Sequence, residues 1–141
     1  MRNQVENGIA AIQDIHLLIF NIMGIRLGVD MEQVYQMKSP EQVDEEEFQA
    51  ADFHYFHEMV PFHQESVYYH TPRVLFLRHA ECLTGVLIDQ PEDIVRVPID
   101  SIQPLPPSLG KGRKSEAIWG VALRDGDIVL LVDFDRTDRV A

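Results

Sequence analysis

The chain has 141 residues, 45% of them hydrophobic and 25% charged, so we expect one soluble globular domain with a core of its own. Twelve Lys and Arg against 23 Asp and Glu give a formal net charge of -11, which opposes binding to nucleic acid and insertion into anionic membranes. No apolar run is long enough to span a bilayer, and the single cysteine, Cys82, excludes an internal disulfide and fits a reducing compartment.

The first elements of the chain are a lead-in and a hairpin. Residues 1–15 have only a weak helical spacing, whereas residues 16–22 are rich in β-branched and aromatic side chains and predict a strand. Met23 and Gly24 predict a tight reversal, after which residues 25–29 alternate apolar with small or polar side chains, as a hairpin partner does.

A short helical turn and an acidic run follow this hairpin. Asp30 is placed to cap a turn over residues 31–35, and Ser39-Pro40 ends the element because the residue before a proline avoids helical geometry. The acidic residues 41–47 predict a solvated loop or the first turn of another short helix.

Residues 48–69 are the least regular part of the sequence. They concentrate aromatic side chains and histidines, so much of the segment must pack against the rest of the protein. Within it, residues 59–62 predict a short edge strand, with Pro61 at a position that needs no donor. A buried strand is predicted next, over residues 74–77.

The central stretch, residues 83–109, predicts a strand pair. Residues 83–89 are a short apolar run typical of a strand buried on both faces, and residues 90–93 predict a turn. Residues 94–99 alternate imperfectly, and Pro98 favours a position at the edge of a sheet.

The last part of the chain predicts a loop and a second hairpin. Residues 110–115 form a flexible basic loop, and the apolar runs 117–123 and 127–133 flank Asp125-Gly126, a strong hairpin signal. With seven to nine short strands and no long amphipathic helix, the sequence predicts an all-β barrel or paired-barrel fold.

Three blocks of sequence occur in a recognisable order. The first, over residues 18–34, contains a strand, a tight turn and a Val-containing turn. The second is Gly85-Val-Leu-Ile-Asp89, which leads to a Pro-rich exit, and the third is Ile118-Trp-Gly-Val121, which precedes Leu130-Leu-Val-Asp-Phe134. Together they resemble the CheW-like domain family, the coupling module of bacterial chemotaxis, over residues 16–136. The positions that carry structural marks of the family are Gly28, Asp30, Gly85, Asp89, Gly120 and Asp133.

The resemblance implies two small five-stranded SH3-like barrels that share a hydrophobic core, within one domain over residues 16–136 and followed by a tail, residues 137–141. It implies a cytoplasmic, non-catalytic adaptor with no cofactor. One surface would bind the regulatory domain of a CheA-type histidine kinase, and another the cytoplasmic tip of a chemoreceptor.

The sequence departs from the family between the two barrel halves, where the family usually has Asn-x-Arg-Gly and then an acid. When the family pattern is aligned on residues 60–62, its Asn, Arg and Gly positions are occupied by His54, Phe56 and His57, and its acidic position by Gln64. Phenylalanine lacks the fixed donors and charge of arginine, so we expect an altered contact here. The predicted partner-binding residues are Val34, Tyr35 and Met37, which the resemblance places on the first barrel, together with Phe56 and His57.

Alternative interpretations of several side chains remain open. Val34 and Met37, three apart on a predicted turn, could instead face the core. His54, His57 and His63 could hold a metal ion, so a ligand- or metal-binding sensor that uses residues 54–70 is the alternative function. Finally, Asp89, Asp133 and Asp135 could hold a cation, although their places at strand ends favour turn or capping roles.

Overall fold

A computed structural model of the chain describes residues 13–62, 66–77, 83–105 and 117–136. These residues form nine β-strands in two sheets, with a few short helical turns, which confirms the predicted all-β fold. Within this described part, no helix is long and apolar enough to cross a membrane. The lead-in up to residue 12, His63, Cys82, the basic loop 110–115 and the tail 137–141 lie outside the described residues.

The first sheet has five strands in the order β7-β1-β2-β9-β8. Their bounds are Asp14–Ile22 for β1, Ile25–Asp30 for β2, Pro91–Pro98 for β7, Ile118–Arg124 for β8 and Asp127–Val132 for β9. β2 and β9 are parallel, and the other neighbours are antiparallel. The sheet curls so that its two edge strands approach each other, and the Arg124 side chain on β8 forms an ion pair with the Asp93 carboxylate on β7 at 3.2 Å.

The second sheet has four strands in the order β3-β5-β6-β4. Their bounds are Val34–Lys38 for β3, Asp52–Tyr55 for β4, Pro72–Leu77 for β5 and Thr84–Asp89 for β6. Two short helices, α1 at Glu45–Ala50 and α2 at Phe56–Met59, flank β4. Single 3-10 turns occupy Met31–Gln33, Pro40–Gln42, Ile99–Ser101 and Phe134–Arg136.

Two cores lie on opposite faces of the first sheet, and β1 contributes to both because successive side chains of a strand point to opposite faces. Leu17 and Ile19 enter the inner core, which is the cluster inside the curled first sheet with Ala122, Val129 and Leu131. Leu18, Phe20 and Ile22 enter the shared core, a larger cluster that side chains of both sheets build. The shared core therefore holds the two sheets together.

Both predicted hairpins are confirmed. In the first, Met23 and Gly24 have φ angles of 53° and 87°, and the Gly24 N–H donates to the Asn21 side chain at 2.8 Å. In the second, Asp125 and Gly126 have φ angles of 53° and 81°. Two consecutive positive φ angles are typical of the two-residue turn that matches the twist of antiparallel strands.

The helical turn predicted over residues 31–35 is shorter in the structure. Asp30 caps it as expected, since its carboxylate accepts from the Glu32 N–H at 2.9 Å, but the 3-10 turn ends at Gln33. Val34 already starts β3 and pairs with Leu77. The acidic run does start a helix, α1, whose first turn holds three glutamates and whose cap is Asp44.

The irregular segment contains a strand that was not predicted, and the edge strand predicted over residues 59–62 is wrong. Met59 ends α2, and Val60 is fully buried without belonging to a strand. The strand in this segment is β4, which pairs in parallel with β6. The expectation that the segment packs is confirmed by the burial of Phe56, Met59 and Val60 in the shared core.

The central stretch contains both predicted strands, but they do not form a pair, because β6 lies in the second sheet and β7 in the first. β6 is buried on both faces, and β7 lies at an edge of the first sheet and ends at Pro98. The turn predicted over residues 90–93 is wrong, because only Gln90, with a φ angle of 41°, separates the two strands. Pro91 already pairs with Phe20 of the first sheet.

Candidate partner-binding surfaces

The predicted partner-binding residues divide into exposed and buried ones. Tyr35 and Met37 lie on β3, an outermost strand of the second sheet, and are 61% and 42% exposed. Val34 and Phe56 are 5% and 0% exposed and belong to the shared core. A partner-facing role for Val34 and Phe56 therefore disagrees with their burial.

His57 is attached to the interior by Tyr69. Its ring Nδ1 lies 3.0 Å from the Tyr69 hydroxyl, and its backbone N–H donates to the same oxygen at 3.4 Å. Burial raises the pKa of Tyr69 to about 12, so the phenol stays protonated even at a pH where an exposed tyrosine ionises. His57 is therefore a half-buried residue held in place by a neutral phenol.

Two other described histidines, His54 and His70, also have partners of their own. His54 Nε2 lies 2.9 Å from an Asp52 carboxylate oxygen, and the His70 ring packs edge-on against Tyr68 at 5.1 Å. Across the described ranges, no group of three His, Cys, Asp or Glu side chains could hold a metal ion. The proposed ligand His63 lies outside those ranges, so the metal hypothesis stays a prediction without support from the described histidines.

The acidic side chains at strand ends have the capping roles that the sequence favoured. Asp89 is fully buried and accepts from the backbone N–H groups of His70 and Thr71 at 2.9 and 2.6 Å. Asp133 accepts from the Gln33 amide at 2.7 Å and from the Asp135 N–H at 2.9 Å. These carboxylates are occupied by donors of the chain and fix its local path.

An exposed apolar pair at the second hairpin was missed by sequence reasoning. Leu123 and Ile128 are direct register partners and are 69% and 56% exposed. They lie on the face of the first sheet opposite to the inner core, which their neighbours Ala122 and Val129 enter. They lie in the apolar runs 117–123 and 127–133, and no local signal in the sequence separates them from core residues.

Comparison with known proteins identifies the family. A model of the CheW-like domain matches residues 53–139, which is more than half of the chain. The chain belongs to the CheW-like domain family. Among solved structures, this CheW-like domain is similar to the scaffolding protein TtCheW from Thermoanaerobacter tengcongensis, with 14% identity and a TM-score of 0.65. The similarity covers 86% of this chain and 90% of that one and shows the shared fold, while a search of curated proteins found no match.

The marked glycines of this CheW-like domain sit where a side chain would collide. A Cβ atom on Gly85 would lie 2.5 Å from the Phe53 ring, and one on Gly120 would lie 3.0 Å from Ile102. A Cβ atom on Gly28 would lie 3.2 to 3.3 Å from Val129, Ile19 and Leu131. The three glycines therefore permit close packing across the sheets.

One position that departs from the expected family pattern is filled by a core aromatic ring. Phe56, which the sequence resemblance aligns with the arginine of that pattern, packs edge-on against Phe20 at 5.2 Å and against Phe134 at 6.0 Å. It also contacts Phe62 at 5.5 Å. Edge-to-face aromatic pairs each contribute about 0.5 to 1.5 kcal/mol beyond burial, so the departure replaces a charged group with a stabilising contact.

Proposed function

We propose that this CheW-like domain is a non-catalytic adaptor of chemotaxis-type signal transduction in the bacterial cytoplasm. It couples a CheA-type histidine kinase to chemoreceptors through protein–protein contacts. The family match over residues 53–139 is the observation that carries the proposal. TtCheW, which shares the fold, is a scaffolding protein, and this similarity supports the same function.

Two exposed apolar sites on different sheets provide surfaces for two partners. The first is the edge-strand site, Tyr35 and Met37 on β3. The second is the hairpin site, Leu123 and Ile128 on β8 and β9. Large apolar side chains that remain in water gain free energy when a partner covers them, and aromatic and Met residues are enriched at protein interfaces. Separate sites allow both partners to be bound at once, as coupling requires.

Titration of the purified protein against the kinase regulatory domains and chemoreceptor tips of its own genome tests the proposal. We expect binding with a Kd of about 1 to 50 µM, because transient signalling contacts bury modest areas. The double variant Tyr35→Ser/Met37→Ser and the double variant Leu123→Ser/Ile128→Ser should each weaken one partner by at least about tenfold.

Tyr68→Ser is the matched control, because Tyr68 is 59% exposed and lies on neither site. We expect it to leave both affinities unchanged. Absence of binding to every regulatory domain and receptor tip at about 100 µM would contradict the coupling function. Equal losses in the control and the site variants would contradict the assignment of the two sites.

A further inference from the structure

The second sheet has an apolar face that does not contribute to the shared core. On β6, Val86 and Ile88 point into the shared core, so Leu87 points to the opposite face. Phe53 and Tyr55 on β4 are the register partners of Gly85 and Leu87, and Val74 on β5 is also paired with Leu87. Side chains of three neighbouring strands therefore meet on this face.

This face forms the floor of a groove of about 330 Å³, here called the β4–α1 groove. Its opposite wall is built by Pro40, Val43 and Phe48, from the segment that leads into α1 and from α1 itself. A groove of this volume lies at the lower end of the range for ligand-binding clefts, about 300 to 1,000 Å³. A cavity of about 290 Å³ also opens beside the inner core of the first sheet, between β7 and β8.

Aromatic rings stand exposed at the mouth of the β4–α1 groove. Phe48 is 64% exposed although its ring packs on Phe53 at a centroid distance of 5.3 Å, and Tyr55 is 47% exposed. Phe53 in turn contacts the buried ring of Phe76 at 6.0 Å, so the aromatic series extends from the interior to solvent. An apolar or aromatic side chain of a partner would continue this series at the mouth.

The charge around the groove is of one sign. Residues 39–58 contain no Lys or Arg, and their carboxylates are Glu41, Asp44, Glu45, Glu46, Glu47, Asp52 and Glu58. Lys38, which precedes this segment, is neutralised because its Nζ atom lies 2.7 and 2.8 Å from the two oxygens of Glu47. Glu58 itself lines the groove. A cationic partner is therefore attracted to this rim, and an anionic one is repelled.

We propose that the β4–α1 groove binds a basic amphipathic peptide segment of a partner protein. An apolar or aromatic anchor of that segment fills the groove, and flanking Lys or Arg side chains pair with the acidic rim. This site is distinct from the edge-strand and hairpin sites, since none of their four residues lines the groove. It therefore adds a third surface to the proposed adaptor function and does not depend on that function.

The probe is a short fluorescein-labelled peptide in which Leu and Phe anchors are flanked by lysines. The comparison peptide is an acidic copy with glutamate in place of each lysine. By fluorescence anisotropy with the full chain, we expect the basic peptide to bind with a Kd of about 10 to 100 µM. The acidic copy should bind at least about tenfold more weakly, and added salt should weaken the basic peptide by screening the rim charges.

Two kinds of variant separate the apolar and the electrostatic contributions. Phe48→Ser removes an exposed ring and should weaken the basic peptide at least about fivefold. Glu45→Lys/Glu46→Lys leaves the groove lining intact and should weaken the basic peptide while strengthening the acidic copy. Ile94→Ser is the matched control, because Ile94 is 53% exposed but lies on β7 of the first sheet, and it should change neither affinity.

Three outcomes would overturn the proposal: no binding of the basic peptide, equal binding of both peptides, or an equal loss in Phe48→Ser and Ile94→Ser. Indole, a small uncharged apolar molecule, provides a further test as a competitor of the bound peptide. If it displaced the peptide completely and charge reversal had no effect, the groove would be a site for small apolar ligands instead. Each result is independent of kinase or receptor binding, so failure here leaves the adaptor function standing.

Discussion

Replacement of Asp89 is expected to destabilise the protein more than replacement of any exposed aspartate. The Asp89 side chain is fully buried, and its two oxygens accept from the His70 and Thr71 N–H groups at 2.9 and 2.6 Å. The Gln90 side-chain amide adds a third donor at 3.2 Å. In Asp89→Ala, these backbone donors lose their acceptor at the point where the irregular segment joins the second sheet.

The magnitude follows from the number of hydrogen bonds lost. A hydrogen bond to a charged group is worth about 1.5 to 3 kcal/mol, and water can reach the partly exposed ends at His70 and Thr71. We therefore expect Asp89→Ala to lower the free energy of unfolding by about 2 to 4 kcal/mol. Asp89→Asn keeps one carbonyl acceptor and should lose about half as much.

Urea unfolding followed by far-UV circular dichroism and by the fluorescence of Trp119 measures these differences. The control is Asp127→Ala, which removes an exposed ion pair with Arg26 and should lower the unfolding free energy by less than about 1 kcal/mol. If Asp89→Ala were no more destabilising than Asp127→Ala, the hydrogen bonds of the Asp89 carboxylate would not stabilise the fold as its contacts indicate.

Two further predictions concern the second sheet and its neighbourhood. Gly85→Ala should lower the unfolding free energy by about 1 to 2 kcal/mol, because the new methyl group meets the Phe53 ring at 2.5 Å. Urea unfolding should show a smaller loss when Gly85→Ala is made in a Phe53→Ala background, and an unchanged loss would refute the clash. Because burial raises the pKa of Tyr69 from 10.0 to about 12, its contribution to stability is present below pH 10 and declines as pH rises towards 12. Unfolding in urea across this range should show a shallower decline for Tyr69→Phe, whereas identical slopes would argue against the raised pKa.

The hairpins were predictable because their signals are local. Asp-Gly and Met-Gly dipeptides between apolar runs supply residues that tolerate positive φ, and the structure uses them in that way at Gly24 and Gly126. The cap at Asp30 is local for the same reason, since its carboxylate reaches an N–H only two residues away. These turns and this cap, which depend on adjacent residues, were predicted correctly.

Strand β4 was not predictable because a distant contact holds it. Its four residues, Asp52–Tyr55, show no clear alternation, and their partner is the distant strand β6. The absent side chain of Gly85 leaves space for the Phe53 ring, and that fit is visible only when both strands are in place. The single-residue link at Gln90 has a similar explanation. β6 and β7 belong to different sheets, so the chain needs a change of direction rather than a hairpin turn.

The candidate sites were predicted in part. A helical turn would have placed Val34 and Met37 on one face, but β3 is a strand, so Val34 enters the shared core and Met37 faces solvent. Tyr35 and Met37 are exposed as the partner-binding prediction requires, and their role stays a prediction. The exposure of Leu123 and Ile128 could not be inferred, because it depends on where the second sheet ends and not on their own apolar character.

β1 is buried on both of its faces, and this has a consequence for the order in which the chain folds. β1 buries one set of side chains in the inner core and the other in the shared core, and both cores include residues beyond position 120. β2 likewise pairs with β9, so Arg26 meets Val129 only after most of the chain has been synthesised. β1 and β2 are synthesised early, so they cannot complete their cores and strand pairing until β8 and β9 have been synthesised. Contacts so distant in sequence slow folding, and the exposed early strands make chaperone protection during synthesis valuable.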